Sequence, residues 1–260
     1  MKQGQSARII PALLLRGEGL VKSVRFKDAK YIGDPINAVR LFNDLEVDEL
    51  IFLDIDATPK GREPQYDRIA EIASEAFMPI CYGGGVTSFE QAARLFKSGV
   101  EKVAITTALV EKPELVREIA DTFGEQAVVA GIDVRKDWLG KPRTMIGGGK
   151  RKTSYDPVAL ARRAADLGAG EILLTSVDRE GTYQGYDLDL VAAISAAVTI
   201  PVIAHGGCGG LPDLRAAIDA GASAAAAGSL FIYKGPHRAV LVNYPKRPRL
   251  RELLTANTSA

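Results

Sequence analysis

Residues separated by 122 positions agree along most of this 260-residue chain. Pro79 aligns with Pro201, Gly84 and Gly85 with Gly206 and Gly207, Gly99 with Gly221, and Thr107 with Ser229. Glu49 meets Glu171 and Asp56 meets Asp178 in the same frame. A shift to 119 extends the match to the first segment, where Ile9 and Ile10 meet Val128 and Val129, and Leu14 meets Asp133. Similar packing alone would repeat apolar positions, but it does not require paired glycines and acids at one offset. A long-period self-match restricts a chain to architectures that repeat one supersecondary unit. The chain therefore reads as two related halves, about 7–126 and 127–236, followed by a helical tail over 237–260.

Each half holds four copies of a smaller pattern. Eight apolar runs, "RIIPALL", "ELIFLDI", "MPICYGG", "EKVAITT", "AVVAGID", "EILLTSV", "PVIAHGG" and "SAAAAGS", alternate with amphipathic stretches. Continuous apolar runs suit parallel strands buried on both faces. The spacing predicts helices over 34–46, with Asp34 as cap and Pro35 at the first helical position, and over 88–99 from a capping-box pattern. Further helices are expected over 66–77, 111–123, 156–167, 187–197 and 211–220. Eight such units in about 250 residues specify one (β/α)8 TIM barrel. An open doubly wound sheet is the alternative, and the duplication favours closure.

Composition excludes several classes of function. A formal net charge of +1 gives no general attraction to nucleic acid or anionic membrane. Two cysteines and two histidines make neither a disulfide framework nor a tetrahedral zinc site. No apolar run reaches membrane-spanning length, and the first ten residues lack the apolar core of a signal peptide. These features describe a cytoplasmic protein with no metal and no cofactor.

In such a barrel the strand C-termini and the loops after them form the active face. "YGGGV" after the third strand and "HGGCGG" after the seventh are glycine-rich turns whose N–H groups can approach an anion closely. Thr106, Thr107 and Ser229 add hydroxyls after strands four and eight. Glycines that merely turn the chain are the plainer reading of either site. Two related cradles on opposite sides of one mouth instead suit an elongated ligand with a phosphate at each end. Asp54, Asp56, Asp133, Asp178 and Glu180 are strand-end carboxylates able to move protons or to cap loops. Asp133 stands out because its apolar neighbours Val128, Val129 and Ile132 should raise its pKa. His205 can bind phosphate, shuttle a proton or cap a loop. Lys150, Arg151 and Lys152 form either a basic lid or a solvated turn, and His237 and Arg238 either close over the mouth or pack on a helix. At the opposite end Arg8, Glu49, Lys102 and Glu171 begin strands one, two, four and six. Physics alone reads that neutral ring as structural.

"DELIFLDI", "YGGGV", "GAGEILLTSVDREGTYQGYD" and "PVIAHGG" fall in an order that resembles the HisF-type cyclase subunit of imidazole glycerol phosphate synthase. The likeness spans roughly residues 8–232. It implies a bisphosphate substrate and a HisH-like glutaminase partner at the barrel floor, which sends ammonia through the barrel. It implies an ammonia gate at Arg8, Glu49, Lys102 and Glu171, and a loop lysine at Lys22. Phosphate sites are implied at Gly84, Gly85, Thr106 and Thr107, and at Gly206, Gly207, Gly228 and Ser229. It also implies two catalytic aspartates. Asp133 matches one, and Leu14 occupies the position of the other. "RIIPALLLRGEGLVKSVRF" and "GPHRAVLVNYP" are most similar to a divergent HisF-like branch tied to acetamidino modification of surface-polysaccharide sugars.

Three functions follow. Leu14 and the complete ring favour an ammonia-channelling barrel that works with a glutaminase and a separate sugar amidotransferase. Asp133 and the cradles favour an active cyclase and lyase of histidine biosynthesis. A sugar-phosphate isomerase of the sister barrel family comes third, because it too needs a strand-one acid.

Overall fold

A computed structural model describes residues 7–235 and 237–255. The elements run β1 (Arg8–Arg16), β2 (Gly19–Val24), β3 (Lys27–Gly33), α1 (Pro35–Asp44), β4 (Leu50–Asp54), α2 (Tyr66–Glu75), β5 (Ile80–Gly83), α3 (Phe89–Lys97), β6 (Lys102–Ile105), α4 (Thr107–Glu111) and α5 (Glu114–Phe123). The second half follows with β7 (Val128–Lys136), β8 (Pro142–Ile146), β9 (Arg151–Lys152), α6 (Pro157–Asp166), β10 (Glu171–Ser176), α7 (Leu188–Ala197), β11 (Val202–His205), α8 (Leu211–Asp219), β12 (Ala224–Ala227) and α9 (Ser229–Ile232). The tail forms β13 (Tyr233–Lys234), β14 (Ala239–Val240) and α10 (Arg247–Thr255). Residues 1–6 and 256–260 lie outside the described residues.

Parallel pairing runs β1, β4, β5, β6, β7, β10, β11, β12 and back to β1. The circle closes, so the open-sheet alternative is excluded. Side chains alternate across each strand. Ile9 and Leu13 turn outward into the layer under the helices. Ile10, Ala12, Ile51, Cys81, Ala104, Val129, Leu173, Ile203, Ala224 and Ala226 fill the inside of the barrel.

The anticipated caps form. The Asp34 carboxylate accepts the Asn37 N–H at 3.0 Å ahead of Pro35, and Ser88 caps α3. The helix expected over 111–123 is instead two helices, because Lys112–Pro113 interrupts it. Among the described residues no helix is long and apolar enough to cross a membrane.

The segments after the first and fifth barrel strands read as loops in the sequence, but both are antiparallel ribbons. β2 folds back on β1 with Leu14 opposite Val21, and β3 extends it. β8 folds back on β7 with Asp133 opposite Met145, and β9 extends that. These extensions stand at equivalent places in the two halves. Alternation is weak in β2, where Leu20, Val21, Lys22 and Ser23 are all buried, so period-two patterning does not reveal it.

Candidate active site

The barrel mouth encloses a cavity of about 270 Å³. Inward-facing residues at one level line two of its walls. Across β7, β10 and β11 the register places Asp133 beside Thr175 and Thr175 beside His205. Across β1, β4 and β5 it places Leu14 beside Leu53 and Leu53 beside Gly83. All six residues line the cavity. The same offsets that relate the halves carry Leu14 onto Asp133, Leu53 onto Thr175 and Gly83 onto His205. At this level one row is therefore polar and titratable, and its duplicate is apolar.

Asp133 lies deep among protein atoms with part of its surface open to the cavity. Burial raises its pKa from 3.8 to about 7, against a lowering pull from the Thr175 hydrogen bond and from Arg135. A carboxyl poised there can both take and give a proton near neutral pH. The neighbouring carboxylates are engaged in structure. Asp54 accepts the N–H groups of Asp56 and Ala57 at 2.9 and 3.0 Å. Asp56 pairs with Lys60 at 2.5 Å and Arg16 at 3.4 Å. Asp178 accepts the Lys136 N–H at 2.7 Å.

The first cradle opens to the cavity, with Gly84, Gly85, Thr106 and Thr107 on its wall. Gly84 has φ +124°, and a side chain there would meet the Asp54 carbonyl oxygen at 2.5 Å. The Thr107 hydroxyl accepts the Gly147 N–H at 3.0 Å, which joins this cradle to the β8–β9 ribbon. Lys150 of that ribbon also faces the cavity, whereas Arg151 pairs with Glu111. The exposed His237 lies in the turn before β14, and Arg238 covers the Tyr183 ring at 4.8 Å.

The second cradle is closed. Gly206, Gly207, Gly228 and Ser229 surround, with Glu180, a void of only about 10 Å³. Lys22 reaches into it from β2, and a Cβ on Gly228 would lie 2.2 Å from the Lys22 Nζ. Lys22 and Glu180 are both buried and bonded at 2.9 Å. Glu180 is held below its usual range. Burial acts against its charge, but Lys22 and His205 outweigh burial. Arg25 fastens the same hairpin, its N–H donating to the Glu180 carbonyl at 2.9 Å and its Nε to the Asp178 carbonyl at 3.0 Å.

At the other end the four charged strand starts form a ring. Arg8 donates to Glu49 at 2.5 Å and to Glu171 at 2.6 Å. Lys102 donates to Glu49 at 2.9 and 3.1 Å and to Glu171 at 3.1 Å. Burial opposes the Arg8 charge, yet Glu171 and Glu49 leave its pKa raised. Ten mostly small or aliphatic residues separate this ring from the cavity.

Residues 8–237 match the family model described as "histidine biosynthesis protein". The chain belongs to that family. The hisF2 protein of Pseudomonas aeruginosa, named as a candidate imidazole glycerol phosphate synthase subunit, is 51% identical across 92% of this chain and 95% of its own. A protein of Alkaliphilus metalliredigens named imidazole glycerol phosphate synthase subunit HisF is 43% identical across 95% of each chain. The like-named HisF of Streptomyces avermitilis is 43% identical across 87% of this chain and 90% of its own. The chain is thus a HisF-like member of the histidine biosynthesis family, and the closed barrel is the fold expected of one.

Within that family frame, the expected site residues separate into three places. Asp133, Gly84, Gly85, Thr106, Thr107 and His205 meet at the open cavity with Leu14. Lys22, Glu180 and the second set of glycines with Ser229 meet in the closed cradle. The four ring residues meet at the floor. Sequence reasoning missed Thr175, which touches both Asp133 and His205. The signal was present in the alternation of Glu171, Leu173 and Thr175 along one strand face. The thiols of Cys81 and Cys208 are free and buried. Burial pushes the Cys208 thiol up to about 12 and raises the Cys81 thiol as well, so both rest as thiols near neutral pH.

Proposed function

We propose that this barrel is the cyclase and lyase subunit of an imidazole glycerol phosphate synthase. The observation that carries the reading is Asp133, tuned near neutrality at the base of a cavity flanked by two glycine cradles. A bisphosphorylated precursor would lie across the mouth with one phosphate over Gly84, Gly85, Thr106 and Thr107. Its second phosphate would enter the cradle of Gly206, Gly207, Gly228 and Ser229 only once Lys22 leaves Glu180 and opens that closed cradle, and the freed ammonium would then pair with it. The relatives named as HisF subunits support the same reaction. A HisH-like glutaminase on the floor would release ammonia beneath the ring, and displacement of Lys102 would admit it to the apolar layer.

Leu14 favours a second reading, in which the barrel delivers ammonia to a separate sugar amidotransferase in surface-polysaccharide biosynthesis. Leucine can neither accept nor donate a proton, and loss of an acid–base group costs about 10²–10⁴ in rate.

Purified protein supplied with ammonium salt and the bisphosphate precursor should form imidazole glycerol phosphate. Absence of product, with restored turnover in Leu14→Asp, would decide for the delivery role. Turnover in the parent removes the conduit-only reading.

A further inference from the structure

We infer that Asp133, Thr175, His205 and Glu180 form one proton relay, in which His205 supplies the acid–base group that strand one lacks. The inference rests on the cyclase reading. It deepens that reading by naming where the second proton-transfer group has moved.

The row is continuous. Asp133, Thr175 and His205 occupy matching positions on three adjacent strands. Thr175 stands beside Asp133 across the strand pair and lowers its pKa against burial, and the Thr175 hydroxyl lies 3.2 Å from the His205 Nδ1. The His205 Nε2 points to the Glu180 Oε2 at 3.6 Å, slightly beyond hydrogen-bond distance. It is buried with no other partner. An ionised carboxylate only accepts, so a neutral His205 carries its proton on Nε2 and leaves Nδ1 as an acceptor. Thr175 has a single proton to give. When Asp133 is ionised, that proton serves Asp133. When Asp133 gains a proton from substrate, its carboxyl can donate to the Thr175 oxygen, and the hydroxyl proton can pass to Nδ1. The transfer leaves Asp133 ionised, Thr175 neutral and His205 an imidazolium facing the Glu180 carboxylate. No proton is lost and no co-reactant is needed.

The surroundings suit a transient charge rather than a standing one. Burial lowers the His205 pKa, the Glu180 carboxylate raises it, and Lys22 lowers it again. Glu180, Lys22 and, through Thr175, Asp133 are the charged groups that face the ring. His205 itself lines the cavity, so it can reach substrate directly. It stands on β11, with only β12 between it and β1, which brings it to the flank of the wall that Leu14 makes apolar. The duplicated positions Leu53 and Gly83 cannot form such a chain. The polar row is therefore specific to one half.

Two measurements test the relay. Ring signals of His205 and His237 can be followed by NMR against pH, with His237→Asn used for assignment. The His205 signal in the parent should shift as Asp133 titrates near pH 7, and that inflection should vanish in Asp133→Asn and in Thr175→Val. An identical His205 curve in all three proteins overturns the relay, whether or not the parent cyclises the precursor. Ammonium-driven turnover of the bisphosphate precursor is the second readout. His205→Gln should lose about 10²–10⁴ in kcat/KM and one limb of the pH profile, and His205→Gly should recover turnover on addition of free imidazole. An active parent matched within twofold by His205→Gln overturns the relay while leaving the cyclase reading intact. An inactive parent with the coupled NMR titration keeps the relay and sinks the cyclase reading.

Discussion

The Asp133 carboxyl is held at a pKa of about 7 where an ordinary aspartate has 3.8, and this fixes a dependence of stability on pH. The folded chain holds the Asp133 proton more tightly than the unfolded chain does. Between about pH 4 and pH 7 the unfolded state therefore binds fewer protons, and stability falls as pH rises. Asp133→Asn removes that loss. It should be nearly neutral at pH 4 and stabilising by about 2 kcal/mol at pH 8, allowing for the part of the carboxyl open to cavity solvent. Urea unfolding at the two pH values measures the difference, and equal effects at both would show that Asp133 ionises without penalty. Asp133 was legible in the sequence because apolar neighbours on one strand are visible there. Thr175 and His205 as its partners were not, since adjacency across strands depends on register. The leucine at position 14 was legible as a missing acid because the second half supplies its counterpart and the family resemblance implies a pair of aspartates.

At the level of elements, the β2–β3 hairpin is what closes the second cradle. Its anchor is the buried pair of Lys22 and Glu180, 2.9 Å apart. Removing one member leaves the other charged and unpaired in the interior, at a cost of about 3–5 kcal/mol. Lys22→Ala should lose stability of that order in urea and increase hydrogen exchange through residues 19–33. The loss should be smaller at pH 6 than at pH 8. Lys22 lowers the His205 pKa, so its removal lets His205 protonate and pair with Glu180 at the lower pH. A loss independent of pH would show that His205 and Glu180 do not communicate. The ribbons themselves escaped the sequence reading for physical reasons. Gly17 and Gly19 punctuate the first, and much of β3 is exposed and polar, so neither burial nor alternation marks a strand. The barrel helices and strands carry both signals and were legible nearly to their ends.

For the whole molecule, the duplication made the barrel legible and left its division of labour hidden. Offset matching predicts two related cradles and, at Leu14 and Asp133, one difference between the mouth walls. The structure has one open cradle and one closed by Lys22 of the β2–β3 hairpin, and one polar and one apolar row, because single exchanges at Leu14, Leu53 and Gly83 alter the chemistry of the row and leave the fold unchanged. The floor ring keeps one duplicated pair, Glu49 from one half and Glu171 from the other, while both of its cations, Arg8 and Lys102, come from the first half. Each glutamate is bonded by both Arg8 and Lys102. If ammonia enters here, one of those bonds must open, and Lys102 is the movable member because a flexible ammonium stem rearranges more easily than a bidentate guanidinium. In complex with the proposed glutaminase partner, Lys102→Met should reduce the ratio of glutamine-driven to ammonium-driven turnover about tenfold. Ammonium added to the mouth bypasses the floor, whereas glutamine-derived ammonia does not, so the ratio cancels any general loss of activity from an altered barrel. Lys102→Arg, which keeps the charge and stiffens the bridge, should lower the same ratio without the loss of stability expected from a missing cation. An unchanged ratio in both variants would leave the ring as a brace between the halves, with its charges balanced for folding alone.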